Sequence, residues 1–277
     1  MAFTRSGESY QIEPIAIDRI LADNSNPLCV IANTIQAHAR VLDVGAGNGI
    51  LAMLLQRLEK DVALDGVEPS ADAARIAEGF YQRMFNTTLD AAVKAESGLQ
   101  TDLRRESYDY VVLADVIEHT NDPSATLILA RQFLTDQGQL LVSVPNVGFA
   151  PIRAELMNGE WQYTDWGILE RTHLRFFTKQ TLLDTIRASG LCVDALHHLG
   201  RNPFEMEKKL QAYPVDLFSL LRMKQDPLAF TYQFLAVCSK ANQPTSTSSP
   251  YQESWINIDS KQFMRRYFKL RRQVQAQ

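Results

Sequence analysis

The chain has 277 residues, a length that suits one α/β domain of ordinary size with an appendage. Its net charge of −4 excludes a general electrostatic attraction to nucleic acid, so no nucleic-acid partner is expected. The three cysteines lie too far apart for a disulfide framework or a cysteine-rich zinc site, and no apolar run is long enough to cross a membrane. We therefore expect a cytoplasmic protein.

A glycine-rich turn between an apolar strand and a helix is the first strong pattern. Residues 1–26 precede it as a predicted N-terminal cap, and residues 27–39 are predicted to form a helix. The strand covers residues 41–44, and Gly45, Gly47 and Gly49 then allow the backbone to turn and to approach a ligand closely. The next helix begins with free N–H groups, which attract a phosphate or a carboxylate.

An acidic residue supports a nucleotide-type ligand at this turn. Glu68 ends a second apolar segment, residues 62–67, and lies nineteen residues beyond Gly49. A carboxylate at this place suits the two hydroxyl groups of a ribose. The spacing G-x-G-x-G differs from the dinucleotide fingerprint G-x-G-x-x-G, but the turn and the acid together predict a nucleotide-type cofactor.

Strands and helices continue to alternate after this turn. The predicted helices cover about residues 70–81, 122–134 and 178–189, and the predicted strands cover 91–95, 110–114, 139–144, 191–196 and 231–239. A helical insertion is predicted at 201–228, before the last strand. Repeated units of this length favour an α/β fold with a doubly wound, mostly parallel sheet.

The strand at 110–114 leads into Asp115-Val116-Ile117-Glu118-His119. Together with the glycine turn and Glu68, this sequence resembles the class I S-adenosylmethionine-dependent methyltransferases. The similar branch is the methyltransferase type 23 or ubiquinone-biosynthesis O-methyltransferase-like branch, which includes polysaccharide-associated enzymes. The resemblance covers about residues 25–240. It implies a Rossmann-like seven-stranded sheet with an antiparallel last strand, a methyltransferase domain over residues 27–240, and S-adenosyl-L-methionine as cofactor.

The resemblance also implies which residues bind the cofactor. The glycine turn would lie beside the methionine portion, Glu68 would hold the ribose hydroxyl groups, and Glu96 would lie near the adenine amine. This chain has Ala95-Glu96-Ser97 where Gly-Asp is more usual, and a solvated loop glutamate is the alternative. The expected cofactor-binding set is Asp43, Gly45, Ala46, Gly47, Glu68, Pro69, Glu96 and Asp115.

Asp115, Glu118 and His119 form a candidate catalytic group. Their i, i+3, i+4 spacing brings three polar side chains together at the carboxyl edge of the predicted sheet. His119 is the predicted general base, because neutral imidazole is abundant near pH 7. Similar sequences in the ubiquinone branch are associated with a divalent cation, but no metal site is expected here. The alternative is that Glu118 and His119 only orient the next loop.

The long aromatic segment 146–177 is predicted to bind the acceptor. It ends in Arg171-Thr172-His173-Leu174-Arg175-Phe176-Phe177-Thr178, which resembles a signature of the polysaccharide-associated branch. Arginines recognise carboxylate and phosphate groups, so an acidic acceptor would suit this loop. His173 is the second candidate base, and bracing of the loop by arginines is the alternative reading. The expected substrate-binding residues are Arg171, Arg175, Asn146 and Trp166.

The composition changes after Lys240. Residues 241–260 begin with a polar run and are predicted to be a flexible linker. Residues 261–277 hold six basic residues and no acidic one, and they are predicted to form a basic amphipathic helix. Such a helix is expected to bind peripherally to a membrane, to bind a protein partner, or to dock on its own domain.

The sequence thus predicts an S-adenosylmethionine-dependent methyltransferase, with O-methylation as the favoured chemistry. The expected acceptor is a hydroxyl group of a sugar, a glycan or a related small molecule. Two alternatives remain at this point. One is a non-catalytic methyltransferase-like scaffold that uses its basic tail, and the other is an NAD-dependent oxidoreductase on a related sheet.

Overall fold

The structure is a computed structural model that describes residues 14–94, 103, 105–241, 250–256 and 263–275. Its centre is a sheet in which eight strands are described, in the order β3-β2-β1-β4-β5-β7-β6-β8. The strands are β1 (Arg40–Val44), β2 (Ala63–Val67), β3 (Arg83–Phe85), β4 (Tyr108–Ala114), β5 (Leu134–Pro145), β6 (Leu191–Gly200), β7 (Thr231–Lys240) and β8 (Gln252–Ile256). All neighbours pair in parallel except β7, which is antiparallel to both β5 and β6.

Helices cover both faces of this sheet. They are α1 (Pro14–Leu21), α2 (Pro27–Thr34), α3 (Ile50–Arg57), α4 (Ala71–Ala77), α5 (Leu89–Lys94), α6 (Pro123–Arg131), α7 (Ala150–Met157), α8 (Lys179–Ala188), α9 (Leu217–Gln225) and α10 (Phe263–Gln275). Because side chains alternate along a strand, neighbouring residues enter different cores. Val41 packs with α1, α2 and α3 on one face, whereas Leu42 packs with α6 and α8 on the other. This is the doubly wound α/β architecture predicted from the sequence.

The starts of several helices follow from their sequences. Asn26, Ser70, Asp122, Thr178 and Asp216 each accept a backbone N–H of the first turn with their side chains. Proline follows the cap at the start of α2 and α6. Its missing N–H costs nothing there, because the first N–H groups of a helix have no partner within the helix.

The prediction of a strand at residues 91–95 is wrong. Residues 91–94 belong to α5, and the strand at this place in the sheet is β3, which precedes it. The run Ala91-Ala92-Val93-Lys94 contains mostly good helix formers, and Thr88 accepts the N–H of Ala91 through its hydroxyl group. A short, half-buried strand such as β3 has little apolar pattern, so it gave no signal.

The end of the sheet also differs from the prediction. The predicted antiparallel strand is confirmed as β7, which pairs with β5 and β6, but an eighth strand, β8 (Gln252–Ile256), follows it in the chain and pairs with β6. The linker predicted for residues 241–260 is therefore wrong at 252–256. The predicted helical insertion at 201–228 is helical only in α9 and in two short 3-10 turns, at Leu210–Ala212 and Pro227–Ala229.

A small second cluster joins this insertion to α7 and α10. Its buried members include Ala154, Leu210, Leu220, Phe263 and Tyr267. Phe263 and Tyr267 of α10 thus pack on the chain's own domain. None of the helices in the described part of the chain is both long and apolar enough to span a membrane.

Candidate active site

The glycine turn is built onto the end of β2. The N–H groups of Gly45 and Ala46 both donate to the carbonyl of Val67, at 2.8 and 3.1 Å, and that of Gly47 donates to the Glu68 carboxylate at 2.8 Å. Gly45 has φ +77°, and a Cβ there would lie 2.6 Å from a methyl group of Val116. These N–H groups are therefore engaged within the protein, and the turn is not the phosphate cradle that free donors would form.

Gly47 faces open space. Its φ is +52°, and a Cβ at this position would meet no atom within 4 Å. The backbone therefore passes close to an open volume, as a turn that contacts a ligand must.

Glu68 is buried and fixed beside this volume. One carboxylate oxygen accepts the N–H of Gly47, and the other accepts the N–H of Ser70 at 2.8 Å. The side chain of Asn86 holds the backbone carbonyls of Glu68 and Pro69 at 2.9 and 3.1 Å. Each carboxylate oxygen keeps a further acceptor position, so a diol can still bind.

Two more carboxyl groups lie near the ends of adjacent strands. Asp43 on β1 is buried and accepts the hydroxyl of Tyr81 at 2.7 Å, and burial raises the pKa of Asp43 to about 6. Asp115 follows β4 with φ +55°, an unusual backbone conformation for an aspartate. Its carboxylate accepts Ser143 and the Gln233 amide at 2.9–3.0 Å, and burial raises its pKa. Glu96 lies outside the described residues.

Glu118, His119 and His173 meet a short distance beyond Asp115. One possible ligand atom from each lies within 4.8 Å of the others, and the two imidazole rings pack edge to face at 4.7 Å between centroids. The Glu118 side chain is 1% exposed, and neither of its oxygens has a hydrogen-bond partner among the described residues. Burial raises the pKa of Glu118 well above its ordinary value, with Asp115 adding to the effect.

The two histidines each keep one ring nitrogen free of these contacts. His119 is exposed, and its Nδ1 lies 3.2 Å from the carbonyl of Thr172. His173 is buried, and its Nδ1 lies 2.9 Å from the carbonyl of Ile168. The Thr172 hydroxyl also lies 3.1 Å from His119 Nδ1 and itself donates to Glu170 at 2.7 Å. Both Nδ1 atoms therefore face acceptors, which favours the tautomer with the proton on Nδ1 and leaves Nε2 as the basic nitrogen. Burial lowers the pKa of His173, which keeps it neutral near pH 7.

The aromatic loop that carries His173 is fastened at several points. The N–H groups of Leu174 and Arg175 donate to the carbonyl of Glu118 at 2.8 and 2.9 Å. Glu207 accepts the N–H of Ile168 at 3.0 Å and the hydroxyl of Tyr232 at 3.1 Å. Glu207 therefore holds the same residue whose carbonyl fixes the His173 ring.

The predicted substrate-binding residues have different surroundings. Arg171 is exposed and pairs with Asp165 at 3.2 Å, whereas Arg175 donates to the carbonyls of Asn121 and Leu174. Trp166 is half-buried in the same loop. Asn146 is buried, and its amide bonds the backbone at Gly148, Leu228 and Thr231. Asn146 thus braces the start of the loop.

The sequence did not predict a role in the site for Gln233, Tyr232 or Glu207. Gln233 is a polar residue inside the apolar strand β7, a pattern that signals a buried polar contact. Glu207 lies in an irregular segment, and only its position in space shows that it reaches the loop.

A family model described as a methyltransferase domain matches residues 17–196. The chain belongs to this methyltransferase family. The resemblance to class I S-adenosylmethionine-dependent methyltransferases is confirmed, and S-adenosylmethionine is the cofactor of this domain.

Curated relatives of this methyltransferase include two named ubiquinone biosynthesis O-methyltransferases. The enzyme of Cereibacter sphaeroides is 29% identical over 158 residues, and the mitochondrial enzyme of Rattus norvegicus is 28% identical over 171 residues. The alignments cover 55% and 60% of this chain but 60% and 48% of the relatives, so the chain spans less than two thirds of their length.

Solved structures agree on the fold. An S-adenosylmethionine-dependent methyltransferase from Thermotoga maritima has a TM-score of 0.51 at 20% identity, covering 80% of this chain and 91% of that one. One from Archaeoglobus fulgidus has a TM-score of 0.51 at 16% identity, covering 78% and 92%.

The residues of the methyltransferase site fit its cofactor. S-adenosylmethionine carries a sulfonium, an amine and a ribose diol, and it has no phosphate. The three carboxyl groups of Asp43, Glu68 and Asp115 suit a cationic, diol-bearing molecule, and the open volume at Gly47 gives it room. A turn whose N–H groups are already engaged is also consistent with a cofactor that lacks phosphate.

Proposed function

We propose that this methyltransferase methylates a hydroxyl oxygen of a small-molecule acceptor, with His119 as general base. The observation that carries the proposal is the meeting of Glu118, His119 and His173 at the carboxyl edge of the sheet, next to Asp115. Nitrogen acceptors with a free lone pair need no base, whereas a hydroxyl group must lose its proton. A site with two basic imidazole nitrogens suits the hydroxyl group.

The proposed reaction assigns a role to each group of the site. S-adenosylmethionine supplies a methyl group on a cationic sulfur, open to in-line displacement. Glu68 and Asp43 bind and orient the cofactor through their carboxyl groups. His119 Nε2 takes the hydroxyl proton, and the acceptor reaches it because this side chain is exposed. His173 stays neutral beside it and avoids a repulsive second charge.

The acceptor is proposed to be a hydroxyl group of a sugar, a glycan or a related small molecule that also carries an anionic group. Arg171 and Arg175 support this choice, because both guanidinium groups are exposed on the loop that carries His173. The names of the curated relatives favour a second candidate, a phenolic hydroxyl. The rings of Trp161 and Phe176, packed at 5.0 Å between centroids, offer either acceptor an aromatic surface.

Calorimetry followed by a transfer assay tests this proposal. The chain is titrated with S-adenosylhomocysteine and with NAD, and methyl-labelled S-adenosylmethionine is then offered with catechol and with uridine-diphosphate sugars. Binding of S-adenosylhomocysteine alone, with label transferred to an oxygen of one acceptor class, supports methylation and selects the class. Binding of NAD alone would establish the oxidoreductase alternative. Binding of neither ligand by a folded chain would establish the scaffold.

A second role for the same cluster is the binding of a divalent cation. The specific observation is the buried Glu118 carboxylate without a partner, next to two imidazole nitrogens. One oxygen and two nitrogens suit zinc or manganese better than magnesium. Titration with each metal chloride distinguishes the two roles. A heat signal that is lost in His173→Ala supports the cation site, and absence of a heat signal with every metal excludes it. Full methyl transfer in the presence of EDTA would show that the reaction needs no cation.

A further inference from the structure

Large apolar side chains are exposed on helix α9 and at the end of helix α7. Twelve of them are exposed in the described residues, and five of these lie on α9 and at the end of α7. Phe218 is 67% exposed and Leu217 58%. The other three are Leu221, Leu156 and Met157. Concentrated apolar exposure of this kind marks an interaction surface.

The end of α7 lies beside α9. Met157 of α7 and Ser219 and Arg222 of α9 line one open cavity of about 480 Å³. Ser219 and Arg222 lie on a different side of α9 from Leu217, Phe218 and Leu221, so this cavity is separate from those three side chains. We call Leu217, Phe218 and Leu221 of α9 the apolar patch.

Helix α9 has apolar residues on two opposite sides. Leu220 and Met223 are buried in the small cluster that joins α7, α9 and α10. Leu217, Phe218 and Leu221 project the other way, at spacings that share one helical face. Arg222 and Lys224 flank this outer face and Asp216 precedes it, so the exposed apolar surface of α9 is bordered by two positive charges and one negative charge.

Helix α10 adds more positive charge next to α9. Its inner side buries Phe263 and Tyr267 in the same cluster that holds α9. Arg265, Lys269 and Arg272 recur at intervals of four and three residues on the outer side, and all three are exposed. None of them forms an ion pair with a described residue. We call these three residues the basic face.

The basic face is distinct from the arginines that hold α10 in place. Arg266 pairs with Glu205, and Arg271 donates to the carbonyls of Gln211 and Ala212. Together with Tyr267, whose hydroxyl bonds the backbone at Tyr213 and Val215, they fasten α10 to the insertion. The basic face takes no part in this fastening.

We propose that the apolar patch and the basic face together bind the surface of an anionic lipid bilayer. Apolar side chains that enter the headgroup region, next to lysines and arginines that contact anionic lipids, are the two components of peripheral membrane binding. The net charge of the whole chain is −4, so this attraction comes from the local arrangement. It does not depend on the proposed methyl transfer.

Charge argues for a membrane over a second copy of the chain. A symmetric dimer through the apolar patch would bring Arg222, Lys224 and the basic face of one copy towards those of the other. An anionic bilayer neutralises the same charges. Phe263 and Tyr267 of α10 are buried, and Phe268 and Val274 are less exposed than Phe218, so α9 supplies most of the apolar contact.

Co-sedimentation of the full chain with lipid vesicles tests the proposal. One set of vesicles contains phosphatidylcholine only, and the other also contains phosphatidylglycerol. We expect binding to the second set only, weakened by added salt. Replacing the basic face by glutamine (Arg265→Gln, Lys269→Gln and Arg272→Gln together) should weaken binding about a hundredfold, at ~1 kcal/mol for each charge. Arg75→Gln on α4 is the matched control and should bind as the unmodified chain does.

A second set of variants tests the apolar patch. The pair Phe218→Ser and Leu221→Ser should also abolish most binding, whereas Ile128→Ser, at an apolar residue of α6 that is about as exposed as Leu221, should not. Equal melting temperatures show that the variants fold; if the pair melts early, Leu217→Ser replaces it. Failure of the unmodified chain to bind either vesicle overturns the proposal. So does a dimer in sedimentation velocity that Phe218→Ser dissociates, when no vesicle binding is seen.

Discussion

The cofactor side and the acceptor side of the active site differ in how their polar groups are hydrogen-bonded. On the cofactor side, Glu68 accepts two backbone N–H groups and Asp43 accepts Tyr81, so these carboxyl groups are held in place by the protein. On the acceptor side, the buried Glu118 carboxyl has no partner among the described residues. The first half is preorganised for its ligand, whereas the second retains an unsatisfied group, as expected where a proton, cation or substrate binds.

The largest expected effect tests the preorganised half. Gly47→Arg should abolish binding of S-adenosylhomocysteine, because the new side chain would fill the open volume at a backbone with positive φ. Gly159→Arg is the matched control, since Gly159 also has positive φ and open space but lies at the end of α7. Calorimetry measures both variants. Unchanged affinity in Gly47→Arg would show that the cofactor does not bind at this turn.

The next effect separates the two halves. His119→Ala should lower the rate of methyl transfer by ~10²-fold and leave the affinity for the cofactor unchanged, because a general base acts only on the acceptor. His38→Asn, at an exposed histidine that contacts Asp61, is the control and should keep full activity. A parallel loss of cofactor affinity would place His119 in the cofactor half instead.

The affinity for the cofactor should depend on pH through Asp43. Because burial raises the pKa of Asp43 to about 6, this carboxyl becomes neutral as the pH falls below that value. A cationic cofactor favours the ionised form, so affinity should fall by about tenfold for each pH unit below the transition and level off above it. Asp43→Asn should bind weakly at every pH, and Asp61→Asn should keep the dependence. Calorimetry across this pH range measures both.

The smallest expected effect concerns the support of the acceptor half. Glu207→Gln should lower the turnover number several-fold and leave cofactor affinity unchanged, because a neutral side chain holds Ile168, and hence His173, less firmly. Glu207→Ala should lower turnover further. Glu205→Gln, on the same segment, should change neither quantity. An equal loss in all three variants would indicate a general effect on folding.

Local patterns were sufficient where neighbours in sequence are neighbours in the fold. The strand, glycine turn and helix at residues 41–57, and the run from Asp115 to His119, were predictable because each is one continuous segment. Contacts between residues far apart in the sequence were not predictable. The bonds of Gln233 to Asp115 and of Glu207 to Ile168 join residues 118 and 39 positions apart. The partly polar β8 is a strand because β6 offers it an edge, which its sequence does not show.

The position of β6 in the sheet has a consequence for biosynthesis. Both of its neighbours, β7 and β8, lie further along the chain, so β6 has no partner strand when it leaves the ribosome. At ordinary rates of synthesis the next forty residues require several seconds, during which an apolar strand edge is available to other chains. The first half of the sheet needs no such delay, since β1, β2 and β4 pair in turn. We expect nascent chains that stall before residue 231 to aggregate or to require a chaperone.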